Sequence, residues 1–166
     1  MRQVYRPSVG VSNRMKRGLV SLRETERHLE LLAQAADWIP GSDGELIVLW
    51  HIDDAEYDAR VDSLESVERA EHVDYDHTAI IEGAEADARE FAGSVLSERD
   101  IDPQIVVTVD SEKTRAQHVL DTAREHDCDH VFIVGSSRSP TGKAVFGDFA
   151  QKVILNFEGY TTLTTE

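Results

Sequence analysis

Leu46-Ile-Val-Leu-Trp50 is five apolar residues in succession. A strand with one wet face alternates apolar and polar side chains, whereas an unbroken apolar run belongs to a strand covered on both faces, as in a parallel sheet sandwiched by helices. Three runs of the same kind flank it: Gly18-Leu-Val-Ser-Leu22 before, and Ile105-Val-Val-Thr-Val109 and Val131-Phe-Ile-Val134 after. Between the runs the apolar period changes to that of a helix. Leu29, Leu32, Ala36 and Ile39 predict a first helix, stopped by Pro40-Gly41. Ile80, Ala84, Ala88, Phe91 and Val95 form one stripe of a second. Ala116, Val119, Leu120 and Ala123 mark a third, from about Glu112 to His126, and Phe146, Phe149, Ala150 and Val153 a fourth. Thr161 to Thr165 reads as a fifth strand at an edge, while Asp53 to Asp76 reads as an acidic surface excursion with one short helix around Val61 to Ala70. Strands alternating with helices define an α/β chain with a doubly wound, five-stranded parallel sheet.

The composition suits such a domain and narrows its partners. With 166 residues there is room for one full core. No apolar run approaches the ~18 residues of a membrane span, and no secretory leader is visible, so a cytoplasmic protein without membrane contact is expected. Cys128 is the only cysteine, which excludes an internal disulfide. The net charge is −15, with 32 acidic residues against 17 lysines and arginines, of which only Lys16, Lys113, Lys143 and Lys152 are lysine. Such a surface argues against nucleic acid as a partner. It suits a salt-loving cell, where concentrated ions screen charge over a few ångströms. Residues 1–17 stand apart: Arg2, Arg6, Arg14, Lys16 and Arg17 face no acid, so this arm carries +5 and the rest of the chain −20. The expected organisation is a basic arm over residues 1–17 followed by one domain over residues 18–166.

At Val131-Phe-Ile-Val-Gly-Ser-Ser-Arg138 the chain resembles the fourth strand and following loop of universal stress proteins. Phe146-Gly-Asp-Phe-Ala-Gln-Lys-Val153 is similar to the start of that family's last helix, and the order of elements agrees from Gly18 onward. The resemblance is to a UspA-like domain, suggesting a halophilic archaeal source given the charge. It implies a flavodoxin- or Rossmann-like sheet (adenine nucleotide α-hydrolase-like) in the order 3-2-1-4-5. It also implies a stress-response role exercised through ATP binding, with Mg, and through a homodimer paired at the C-terminal edge strand. ATP-binding members carry Gly-x2-Gly-x9-Gly-[Ser/Thr] between the fourth strand and the last helix. Glycines there let backbone N–H groups approach phosphate oxygens at a helix N-terminus.

Gly135 matches the first glycine of that pattern, and Gly147 the third in a loop one residue shorter. Arg138 replaces the second glycine, Asp148 replaces the hydroxyl residue, and Arg23 stands where those members carry a nucleoside-contacting aspartate. The loop nevertheless holds Ser136, Ser137, Arg138, Ser139, Thr141, Gly142 and Lys143, a set of hydroxyls, amides and two cations suited to phosphate or another small anion. Two readings stay open. In one, Gly135 to Asp148 binds ATP or another anion. In the other the phosphate loop is degenerate, Asp148 caps its helix, and the chain is a dimeric interaction module.

The remaining constellations are weaker. Gly142-Lys143 fails as a P-loop, since Ser137 and Ala144 break the pattern. His126, Cys128 and His130 run from a helix end into a strand, which spoils convergence on a metal; His72, Asp74, Asp76 and His77 read as solvated surface. Asp53 and Asp54 follow the second strand and Asp110 the third, at the carboxyl ends where open sheets bind ligands; Asp110 also stands where a phosphoacceptor receiver keeps its target, but Arg23-Glu24 and Thr164-Thr165-Glu166 do not supply that site's acidic pair and lysine. No nucleophile elbow supports a hydrolase, and slow ATP hydrolysis is the most turnover the sequence suggests.

Overall fold

The computed structural model describes residues 16–39, 44–71, 77–110, 113–136 and 147–166. Its five strands are β1 (Arg17–Leu22), β2 (Glu45–Asp53), β3 (Gln104–Asp110), β4 (His130–Gly135) and β5 (Tyr160–Thr165). All four pairings are parallel, and the order is β3-β2-β1-β4-β5, as expected. β1 begins at Arg17, one residue before the expected boundary, where Arg17 Nε meets Glu45 Oε2 at 2.7 Å. The backbone N–H of Lys16 donates to Asp129 Oδ2 at 2.9 Å.

The helices are α1 (Glu26–Trp38), α2 (Asp54–Glu71), α3 (His77–Leu96), α4 (Arg115–Glu125) and α5 (Gly147–Asn156). Alternate residues of the central strands feed two cores. Val20, Leu22, Val48, Trp50, Ile52 and Phe132 meet α1 and α3 on one face. Leu19, Ile47, Leu49, Val131 and Ile133 meet α4 and α5 on the other. Burial on both faces is why these strands read as continuous apolar runs. Thr25 caps α1 by accepting from the His28 backbone N–H at 3.3 Å. At α4, Thr114 and Gln117 form a reciprocal capping box.

The acidic excursion is the main departure from expectation. α2 starts directly after β2 and runs for 18 residues, far longer than the short helix anticipated. Asp53 Oδ1 accepts from the Glu56 backbone N–H at 2.8 Å, and Asp54 and Glu56 place negative charge in the first turn, where the helix dipole favours it. Tyr57, Val61 and Leu64 then pack against the core on one side. The exposed side chains around them are largely acidic. That is why its periodicity was weak.

The inward stripes of the other helices also shift by a residue in places. α1 buries His28, Leu31, Leu32, Ala35 and Ala36, while Leu29 is only half-buried. α3 buries Ala92 and Leu96, with Phe91 and Val95 partly covered.

Candidate functional site

β1 is followed by chain that crosses one face of the sheet, and β4 by chain that crosses the other. Their carboxyl ends therefore bound the crevice at which open α/β sheets receive ligands. Four of the ten expected loop residues fall within the described residues: Gly135 and Ser136 at the end of β4, and Gly147 and Asp148 at the start of α5. Ser137, Arg138, Ser139, Thr141, Gly142 and Lys143 lie outside them. The structure brings the two described ends together. Gly147 has φ +71°, in the left-handed region that glycine tolerates, and a Cβ there would stand 3.7 Å from Ser136 Cβ and Oγ. Asp148 is exposed in the first turn of α5. The backbone N–H of Glu166 donates to the Gly135 carbonyl at 3.3 Å, so the end of β5 joins the same edge.

Glu166 also lines a cavity of about 250 Å³, whose wall includes Arg23, Thr25, His28, Trp50, Asp53 and Glu56. Arg23 thus reaches the crevice at the position where a nucleoside-contacting aspartate was expected. His28 was not anticipated at all. Its side chain is 2% exposed. Nδ1 shares a hydrogen bond of 2.7 Å with Thr25 Oγ1, while Nε2 is buried without a partner. Burial, then the cations Arg115 and Arg23, lower its pKa to about 4, so the ring is neutral at physiological pH. Trp50, 5% exposed, lines the same cavity, and its Nε1–H is likewise buried without an acceptor. Both residues line the cavity, and each has a buried ring nitrogen without a protein partner among the described residues. His28 was hidden in the sequence because it lies one residue off the inward stripe that Leu29, Leu32, Ala36 and Ile39 predict.

Arg115 opens α4 and lies over the Phe149 ring of α5, 4.2 Å from its centroid. A guanidinium thus sits beside the N-terminal half of α5, a second cation that the sequence reading did not single out. His51 shares a hydrogen bond of 3.1 Å with Thr108 Oγ1 on the opposite face from Trp50.

The other sequence candidates are engaged locally. Asp53 caps α2 and pairs in register with Asp110, and Asp54 is the first residue of α2. His126 caps α4, Cys128 is half-buried, and His130 stacks on Phe132 at 4.3 Å while its Nε2 meets Thr162 Oγ1 at 2.8 Å. His77 shares a 2.7 Å hydrogen bond with the Tyr57 hydroxyl; His72, Asp74 and Asp76 lie outside the described residues. Among the described residues no group of three or more His, Cys, Asp or Glu side chains could hold a metal ion, and no helix is long and apolar enough to cross a membrane.

Fold and crevice define a doubly wound α/β protein with its ligand-competent edge at the β1/β4 switch point. Residues 15–159 match the Universal stress protein family, and the chain belongs to that family. No curated protein matches the sequence. Among solved structures it is similar to the hypothetical protein MJ0577, with 14% identity and a TM-score of 0.62 over 92% of this chain and 97% of that one. It is similar as well to a universal stress protein from Archaeoglobus fulgidus, with 21% identity and a TM-score of 0.60 over 90% and 97% of the two chains. A universal stress protein in complex with cAMP aligns at 12% identity and a TM-score of 0.58, over 91% and 97%. These likenesses share the flavodoxin-like fold.

Proposed function

We propose that this chain acts in stress response by binding a small phosphorylated ligand, ATP or another adenine nucleotide, in the crevice at the carboxyl ends of β1, β2 and β4. The observation that carries the reading is the 250 Å³ cavity whose wall holds two buried ring nitrogens without partners, His28 Nε2 and Trp50 Nε1. Glu166, on the same wall, donates its backbone N–H to the Gly135 carbonyl, and Ser136 beyond it lies close to Gly147 at the N-terminus of α5. The cAMP complex of a structural relative is consistent with a nucleotide in this fold. The loop from Gly135 to Asp148, including Arg138 and Lys143, would hold the phosphates, with Mg as counterion. The chain works by binding and association, with slow hydrolysis at most.

The test is mass spectrometry of small molecules released from protein purified in high salt, followed by calorimetric titration with Mg-ATP and with cAMP. Asp148→Ser should tighten nucleotide binding and Arg138→Ala should weaken it. An empty preparation together with no heat at millimolar nucleotide would retire the reading.

One observation favours a second reading, that of a dimeric interaction module. Among the described residues β5 is an edge strand paired only with β4, its own Tyr160 is 57% exposed, and Ile154 and Leu155 of α5 are 42% and 72% exposed. An open, β-prone edge flanked by apolar side chains is a liability unless covered. A second copy paired along β5 would cover it. Light scattering in high salt should give a dimer mass that Leu155→Glu lowers. A monomer from the unsubstituted chain would count against this reading alone. We further propose a place in the cytoplasm of a halophilic archaeon, with the basic stretch that precedes β1 as an arm apart from the domain. The test is cooperative melting that moves upward between low and molar KCl.

A further inference from the structure

At the amino ends of the strands, opposite the crevice, two large aromatic side chains are exposed. Trp38 closes α1 and Tyr160 opens β5, and each is 57% exposed. Both rings lie against that of His130, with centroids 5.4 Å and 5.9 Å away, so they flank one buried imidazole and form a single patch. The chain enters the domain beside it. Gly18 of β1 pairs in register with His130, and His130 with Tyr160. At a strand spacing of about 4.8 Å, the start of β1 is therefore roughly 10 Å from Tyr160. Asp129 ties the two together: its Oδ2 accepts the Lys16 N–H at 2.9 Å, and its carbonyl accepts the Tyr160 N–H at 3.0 Å. Two more acids stand at this end, Asp127 and Glu158, both exposed and lining one groove.

We infer that the patch around Trp38 and Tyr160 is the docking site of the chain's own basic arm, residues 1–15, which lie outside the described residues. Position, charge and composition all favour this occupant. The arm is tethered at Lys16, next to the patch, and fifteen residues at about 3.3 Å each reach roughly 50 Å, ample to cross it. The tether also gives the arm an effective concentration on the order of millimolar, so weak contacts suffice. Arg2, Arg6 and Arg14 come with no acid, and the domain end that they meet carries Asp127, Asp129 and Glu158. Between the arginines stand Val4, Tyr5, Pro7, Val9 and Val11, apolar partners for exposed rings, and a guanidinium itself stacks on an indole or phenol face. The crevice plays no part in this docking, which goes beyond the nucleotide reading. A second copy of the chain is the rival occupant, and the experiment separates the two.

The full chain is used throughout. Acrylamide quenches exposed indoles, and of the two tryptophans Trp50 is 5% exposed, so quenching reports on Trp38. Replacing Arg2, Arg6 and Arg14 together by glutamate leaves the domain's own residues unchanged and should raise the quenching constant. Reciprocally, Asp127→Asn and Glu158→Gln should each speed tryptic cleavage after Arg6 by up to about fivefold, the effect of losing one exposed ion pair. The inference is overturned if the glutamate variant is quenched like the parent, or if both acid variants are cleaved at the parent's rate. Shielding of Trp38 that grows with protein concentration and persists in the glutamate variant would assign the patch to a second copy and overturn it as well.

Discussion

Replacing His28 by leucine should remove a measurable part of the protein's acid sensitivity. In the unfolded chain the imidazole takes up its proton near its ordinary value of 6.5, whereas in the folded chain it does so only near pH 4. Between those values the unfolded state binds more protons, so stability falls as the pH is lowered through the window. Integrating from pH 7 to pH 4.5, this one ring accounts for a loss of about 2.5 kcal/mol. The physical cause is burial of Nε2 without a partner, reinforced by the positive charges of Arg115 and Arg23. Leucine has a similar volume and no titrating group. The assay is denaturant unfolding of both proteins at pH 7 and at pH 4.5, in the same salt. The carboxylates titrate alike in the two proteins and cancel in the comparison. The parent should lose about 2.5 kcal/mol more than the variant over this interval. Equal losses would refute the reasoning and mean that the ring protonates in the folded state without penalty.

Three further outcomes follow from local geometry. Cys128 is half-buried, and burial together with the Asp129 charge pushes its thiol up to about 12, so iodoacetamide at pH 8 should leave it unmodified until the protein is denatured; rapid native labelling would contradict this. Thr114→Ala breaks the capping box of α4 and should cost about 1 kcal/mol in denaturant unfolding, whereas an unchanged midpoint would mean that the cap is idle. A methyl at Gly159 would lie 2.6 Å from Phe157 Cε1 and 2.7 Å from the Asp129 carbonyl oxygen, so Gly159→Ala should destabilise by about 1–3 kcal/mol. A melting temperature equal to the parent's would show that the backbone there gives way freely.

The sheet was legible because burial on both faces writes itself into sequence as unbroken apolar runs. Leu46 to Trp50 and Val131 to Val134 lie wholly inside β2 and β4. The strand order was legible only through resemblance, since nothing in the runs themselves says that β1 sits between β2 and β4. α2 was misjudged for the complementary reason: among its described side chains Tyr57, Val61 and Leu64 are the apolar ones packed on the core, and the acids between them mask the stripe. The site divided along the same line. Gly135 and Gly147 announce themselves as glycines at the ends of regular elements. His28 and Trp50 matter through what surrounds them in three dimensions, and no spacing in the chain reports that a ring nitrogen lacks a partner.

The distribution of charge around the crevice bears on how a ligand would enter it. The cavity wall carries Glu24, Asp53, Glu56 and Glu166 beside the cation Arg23. Arg115, close over Phe149, acts on the same place through its charge on the His28 ring. A nucleotide bound as proposed would turn its phosphates toward Arg115 and the N-terminus of α5. Asp148 opposes this arrangement from the first turn of α5, because a carboxylate there cancels part of the positive potential that phosphate would use. The acidic surface as a whole acts in the same direction. Salt weakens both repulsions, most strongly for exposed groups such as Asp148. Nucleotide affinity in this chain should consequently rise with salt concentration, the reverse of the usual dependence for a protein that binds phosphate through cations.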